Sequence, residues 1–308
     1  MSNDQSASAD GYRLGNRARK ALYVAGTILF ALSLAFVATF AVRNWHAIGE
    51  LDRVDAMALI ATGCIYGAAH ASSSAAWVLG LRRMGQDIPL WPGIRINLIT
   101  QVGKYLPGNV AHYLARAGLA SASGVKLSRS GTATLLEILA TLFTAALVAS
   151  VAMLFDSAPV RALDQTLSGN ILVPLLPAGI GIATAAGFLR YARVPIGAFI
   201  AASVCVIITF ILIGLSFFTL VSAISAQPLS PIAAIGIFAV AWTAGYVVPG
   251  APAGLGVREA ILVAWVSPII GGAAAVACVI LHRVISACVD ALVALIGYGW
   301  LRFEKVAR

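Results

Sequence analysis

The sequence predicts an all-α polytopic membrane protein, on three observations. Of its residues 60% are hydrophobic and only 11% are charged, against about 25% charged in soluble domains. Apolar runs of roughly 18 residues or more recur, each long enough to cross the ~30 Å hydrocarbon core of a bilayer. The short alternating segments that would build a transmembrane barrel do not appear.

The positions of the charges refine this picture. The net charge of +9 is not spread as a nucleic-acid footprint, because the basic residues gather at the ends of apolar runs. They are Arg13, Arg17, Arg19 and Lys20, then Arg82, Arg83 and Arg95, then Lys126 and Arg129, then Arg190 and Arg193, and finally Arg302, Lys305 and Arg308. Loops held on the cytoplasmic side of a membrane carry this excess of Lys and Arg. Both termini are therefore expected in the cytoplasm of a bacterial-type inner membrane, and the basic face would attract anionic headgroups.

Taken in order, residues 1–20 form a basic tail. Ala21 to Val42 is too long for a signal-peptide core and lacks a convincing cleavage site, so it is expected as a retained span. Further spans are expected near 55–81, 131–155, 171–189, 196–222 and 273–300. An extracytoplasmic loop at 156–170 divides a first membrane repeat (21–155) from a second (171–300), and 301–308 is a cytoplasmic tail. Cys64, Cys205, Cys278 and Cys288 fall inside apolar runs without C-x-x-C spacing, as small core residues rather than metal ligands.

Two regions, 89–123 and 231–268, resist this scheme, and they overlay on each other. A shift of 142 residues, the separation of Pro107 and Pro249, also carries Pro89 onto Pro231 and Gly103 onto Gly245. It carries Gly108 onto Gly250, Ala111 onto Ala253 and Arg116 onto Arg258. With only 12 prolines in the chain, the proline matches carry the weight. The basic flanks require 89–123 to begin and end inside and 231–268 to begin and end outside. The expected architecture is six spans plus two re-entrant Pro-Gly hairpins in an inverted internal repeat, an arrangement common in transporters. The alternative is eight or more short spans, or interfacial helices in place of the hairpins.

The chemistry of an interrupted helix follows from its backbone. Proline removes a donor and clashes with the turn before it, so the helix from Ile232 should stop near Val248. Pro252 is suited to open the next helix, while Gly250, Gly254 and Gly256 permit close approach of backbone or ligand. A helix start at that depth presents free N–H groups and partial positive charge to a phosphate or carboxylate. Arg258 would sit beside it, and Arg116 would hold the matching place after Pro107 and Gly108. Left unpaired, Lys104, Arg116, Arg258 and Glu259 would together cost on the order of ten kcal/mol in a membrane. They are the candidate substrate-binding set, with Pro249 at the second break. Glu137, Arg283 and Asp290 form a candidate charge network, in which Glu137 pairs with Arg283. Glu259 is expected to pair with Arg258 or Arg116. His70 and His282 are expected as packed polar residues.

The stretch "PAGLGVREA", Pro252 to Ala260, resembles the P-G-G-x-G-x-R-E signature of the lysylphosphatidylglycerol synthase transmembrane-region family. That family includes the flippase-like part of the multiple peptide resistance factor. "GKYLPGNVAHYLARAGL", Gly103 to Leu119, resembles its second hallmark, and "LLEIL" at Glu137 and "LHRV" at Arg283 stand where the family places a Glu and an Arg. Ala253 replaces the first paired glycine, and the Arg that often follows the family's Glu is missing. The resemblance implies lipid movement, and with no soluble transferase domain in this sequence it does not imply lipid synthesis.

The leading expectation is a lipid flippase or translocase with membrane lipids as partners and an anionic headgroup as ligand. No Walker motif is present, so movement would be facilitated or ion-coupled, without a cofactor. The competing classes are an accessory or scaffold protein of envelope biosynthesis, a lipid-modifying enzyme using Glu259 or Glu137, and a small-anion transporter. No nucleophile–base set or metal motif speaks for the enzyme.

Overall fold

The computed structural model describes residues 54–105, 111–156, 172–227, 229–248 and 254–306, together with Thr39 and Val42. Among these residues the chain forms nine α-helices, one 3-10 segment and no strand. The helices are α1 (Ala56–Arg83), α2 (Leu90–Thr100), α3 (Ala111–Ala122), α4 (Leu127–Phe155) and α5 (Leu172–Ala192). They continue as α6 (Ile196–Ile224), α7 (Pro231–Val247), α8 (Val257–Ile270) and α9 (Gly272–Val306), and the 3-10 segment Gln101–Tyr105 extends α2. The tail 1–20, most of the span expected at 21–42, all but Asp156 of the loop expected at 156–170, and the residues Pro107, Gly108, Pro249, Gly250 and Pro252 lie outside the described residues.

Among the described residues three helices are long and apolar enough to cross a membrane: α4, α6 and the Gly272–Gly299 stretch of α9. The outer surface of α6 shows what such a helix is for. Ile196, Ile200, Val204, Ile208 and Ile211 are all exposed and recur every three or four residues, forming one apolar stripe. A stripe of that size in water would be an association hazard; against lipid it is at home. The protein is an all-α, membrane-embedded bundle.

Local chemistry sets the helix ends. Asp55 caps α1 by accepting the Met57 N–H at 3.1 Å, and Ser230 caps α7 by accepting the Ala233 N–H at 3.0 Å. Pro231 occupies the first turn of α7, where its missing donor has no consequence. The helix stops at Val247, as Pro249 demands. The α-helix α8 begins at Val257, just after Gly254 and Gly256 with φ of 72° and 84°, since left-handed residues cannot continue a right-handed helix; the expectation that Pro252 opens a helix lies outside the described residues.

The exposed basic residues gather at one end of the bundle. Gln86, just past Arg82 and Arg83, accepts the Lys126 N–H at 3.2 Å, and Gly197, four residues beyond Arg193, lies against the Arg83 side chain. The region formed by α2 and α3 leaves and rejoins the chain at this end. The start of α7 lies elsewhere: Ser230 donates a 2.5 Å hydrogen bond to Asp156, one residue beyond the far end of α4.

The packing pairs come in matched sets. A 142-residue shift carries α1 to α6, α2 to α7, α3 to α8 and α4 to α9, with their starts matching within four residues. Helix α7 packs on α4, and α2 packs on α9; α7 packs on α6, and α2 on α1. Likewise α4 meets α6 while α9 meets α1, and α1 and α6 share the most extensive contact of all. The same exchange appears in atomic detail. A Cβ on Gly103 would stand 2.8 Å from the His112 backbone nitrogen, and one on Gly245 would stand 3.0 Å from the Gly254 Cα. Residues 103 and 112 shifted by 142 are 245 and 254, so the same backbone crossing occurs twice.

Candidate functional site

A cavity of about 140 Å³ opens where the two Pro-Gly regions meet. Its wall includes Lys104, Tyr113 and Arg116 from the first region and Gly245, Tyr246, Gly254 and Arg258 from the second. Val206 and Phe210 reach it from one apolar core and Tyr66, Ala69 and Ile213 from the other, so it lies between the two. Several water molecules, or one small polar group, fit a space of this size.

Three charged clusters build the polar side. In the first, the Arg116 guanidinium donates to Glu137 Oε2 at 2.5 Å and lies over the Trp77 and Tyr113 rings at 4.8 and 5.1 Å. Arg116 is 2% exposed. This is a closed pair, a cation held by a carboxylate below and aromatic faces around it.

The second cluster centres on Asp290 of α9. Its Oδ2 accepts from Tyr105 Oη at 2.6 Å and pairs with Lys104 Nζ at 2.7 Å. His70 Nε2 stands 2.6 Å from Oδ1. The 3-10 segment is thereby tied to both α1 and α9.

The third cluster sits at the start of α8. Glu259 turns back so that Oε2 accepts the Gly256 N–H at 2.7 Å, half of a capping box. Its Oε1 lies 3.6 Å from Arg258 Nη2 and 3.5 Å from Arg283 Nε, so two guanidiniums share one carboxylate. Arg258 also lies over the Phe238 ring at 5.8 Å and makes no hydrogen bond among the described residues.

These pairings correct the expected charge network. Glu137 binds Arg116 and not Arg283, while Arg283 pairs with Glu259 and Asp290 with Lys104. Arg283 and Asp290 share a face of α9, but seven residues separate them by roughly 10 Å along the axis, too far for contact. His282 is a packed polar residue, set among the Tyr66, Phe217 and Phe238 rings with its Nε2 3.2 Å from Ser216 Oγ. Cys278 is buried, but Cys64 and Cys288 are exposed on the outer surface rather than in the core.

The remaining wall is aromatic and was not anticipated from the sequence. Tyr246 stacks on Trp242 at 5.0 Å between centroids, and Trp242 meets Phe210 edge-on at 5.5 Å. The Tyr113 and Tyr246 hydroxyls share a 2.7 Å hydrogen bond, which joins the two Pro-Gly regions across the cavity. The available signal was the placement of Tyr113 and Tyr246 beside the two breaks. No protein-family model matches this chain, and no characterised protein matches it.

Proposed function

We propose that this chain is a lipid translocase, in which an anionic headgroup crosses through the cavity while its acyl chains stay in the bilayer. One observation carries the reading: one cavity takes cationic side chains from both Pro-Gly regions. The matched packing pairs and the repeated glycine crossing support an inverted repeat. The chain path supports two re-entrant hairpins, one entering from the basic end and the other from the opposite end. With the basic end inside, six spans leave both termini in the cytoplasm of a bacterial-type inner membrane. The resemblance of Pro252 to Ala260 to the lysylphosphatidylglycerol synthase transmembrane-region family points the same way.

In this mechanism Arg116 and Glu137 are a structural brace, and the ligand contacts fall to Arg258 and Lys104. The aromatic wall of Trp242 and Tyr246 would slide past a headgroup without binding it strongly. The deciding experiment reconstitutes the purified chain in vesicles with fluorescently tagged lipids in both leaflets and bleaches the outer one. A tagged anionic phospholipid should become fully accessible in the presence of the chain, and Arg258→Gln should slow this at least tenfold. If no lipid of any headgroup moves faster than in protein-free vesicles, the translocase reading is wrong.

The Tyr113–Tyr246 hydrogen bond yields a separate expectation. Tyr246→Phe keeps the stack on Trp242 but removes a bond worth about 0.5–1.5 kcal/mol. If that bond closes the cavity, lipid movement should speed up by roughly 2- to 10-fold, and Tyr113→Phe should do the same without an additive effect in the double variant.

A further inference from the structure

Lys104 is assigned to the ligand, yet it is already held. Its Nζ stands 2.7 Å from Asp290 Oδ2, and Tyr105 Oη donates to the same oxygen at 2.6 Å. His70 Nε2 lies 2.6 Å from Oδ1. Asp290 is 2% exposed and belongs to the stretch of α9 that is apolar enough to cross a membrane. His70, Lys104 and Asp290 all line the cavity, so water inside it can carry a proton to the carboxylate.

The second Pro-Gly region shows that packing does not require this cluster. The 142-residue shift carries His70 onto Leu212, Lys104 onto Tyr246 and Tyr105 onto Val247, and it carries Val148 onto Asp290. At the matching place there is no ion pair, and Tyr246 is held by its stack on Trp242. Apolar groups can replace a buried ion pair with little loss of stability. Keeping ionisable groups at membrane depth is costly, and such groups mark ion pathways and proton relays. The other charged and titratable groups near Asp290 come from four helices. Helix α1 brings Tyr66, edge-on to His70 at 5.1 Å, and α8 brings Arg258, paired with Glu259. Arg283 of α9 lines the same cavity. Arg95, the one charged residue of α2, meets α9 through its backbone at Gly297. Helix α6 carries no charged or histidine residue.

We infer that the Asp290 carboxylate binds a proton when an anionic headgroup takes over Lys104, so that one proton travels with one anion. In that step an O–H bond forms on Asp290 with a proton from cavity water. The Lys104 ammonium keeps its three protons and turns to a phosphate oxygen. An anion and a proton together leave the charge of the cavity unchanged, whatever its starting value, and so avoid the cost of taking a lone charge into the membrane. A metal ion does not suit the same place. Hard cations seek several oxygen ligands, whereas among the described residues Asp290 is faced by an ammonium, an imidazole and a hydroxyl that is already donating. The lipid nature of the anion rests on the translocase reading; the proton linkage rests on the cluster.

The test measures proton uptake by the purified full chain in weakly buffered detergent micelles, with a pH-sensitive dye, as dioctanoyl phosphatidylglycerol is added. Dimethyl phosphate serves as the chain-free anion. Both are phosphodiesters that stay ionised, so a proton taken up on binding goes to the protein. Phosphatidylglycerol binding should take up as much as about one proton per lipid, and its affinity should fall by up to about tenfold per unit rise in pH. Asp290→Asn should abolish both effects, whereas Asp290→Glu and His70→Gln should keep the uptake. The pair Asp290→Val with Lys104→Tyr installs the residues of the second Pro-Gly region's matching place, and it should give a folded protein that takes up no proton. Binding to the parent chain without uptake overturns the inference, as does the failure of both anions to bind. Uptake kept in Asp290→Asn but lost in His70→Gln overturns it as well. Dimethyl phosphate binding as tightly as the lipid, with the same uptake, would uphold the proton linkage and sink the lipid reading. Vesicles in which lipid crosses, yet distributes between leaflets without regard to an imposed pH gradient, would overturn the coupling and leave translocation standing.

Discussion

Replacing Glu137 with Gln will destabilise the protein by about 3–5 kcal/mol, the usual cost of removing one partner from a buried ion pair. Arg116 is 2% exposed and Glu137 is 8% exposed, so the orphaned guanidinium is largely withdrawn from bulk water. Thr134 Oγ1, at 3.4 Å from Arg116 Nη2, is too weak an acceptor to compensate, and the Trp77 and Tyr113 faces offer only part of the lost energy. Thermal unfolding in detergent should show the loss as a large drop in Tm. The double change Arg116→Met with Glu137→Leu should recover most of it, because a buried pair replaced by apolar groups of similar size is often neutral. A Glu137→Gln protein as stable as the parent would mean that Arg116 has another partner and that the brace has been misidentified.

That brace shows where sequence reading reached its limit. Glu137 and Arg116 were each singled out as charges needing partners, which follows from the cost of burying them. Which partner each takes depends on how α3 lies against α4, and no local signal encodes that. Where the physics is local, the reading was closer. Pro249 places the end of α7 at Val247 by steric exclusion alone. The start of α8 at Val257 is set by two glycines, Gly254 and Gly256, whose positive φ a right-handed helix cannot contain. The polar segment from Leu90, with Arg95, Asn97 and Gln101, invited an interfacial-helix alternative. Instead Asn97 is buried, as are Ile94 and Ile96, and α2 packs on α1 and α9. The aromatic wall escaped notice because Trp242 and Tyr246 look like ordinary members of an apolar run until α7 is turned toward the cavity.

The repeated glycine crossing gives the second large effect, and it bears on the whole architecture. Gly103→Ala would push a Cβ to 2.8 Å from the His112 nitrogen, closer than such atoms approach in practice. Gly245→Ala would set one at 3.0 Å from the Gly254 Cα and 3.3 Å from the Arg258 Cβ. In both cases the obstacle includes backbone, which cannot swing aside as a flexible side chain does, so the paired segments must separate. Overpacking of this kind costs about 1–3 kcal/mol. If the cost falls on the arrangement that aligns the cationic groups, lipid movement should drop by roughly 5- to 150-fold. Gly118 and Gly131 supply the controls, since each is helical and an added Cβ there meets nothing within 4 Å. Alanine at these two positions should be neutral or slightly stabilising, by up to about 1 kcal/mol. A duplicated device makes a sharper demand than either substitution alone: Gly103→Ala and Gly245→Ala must fail alike in the vesicle assay. If one is as harmless as Gly118→Ala while the other abolishes movement, the two crossings are not equivalent, and the cavity is not the meeting point of two matched hairpins.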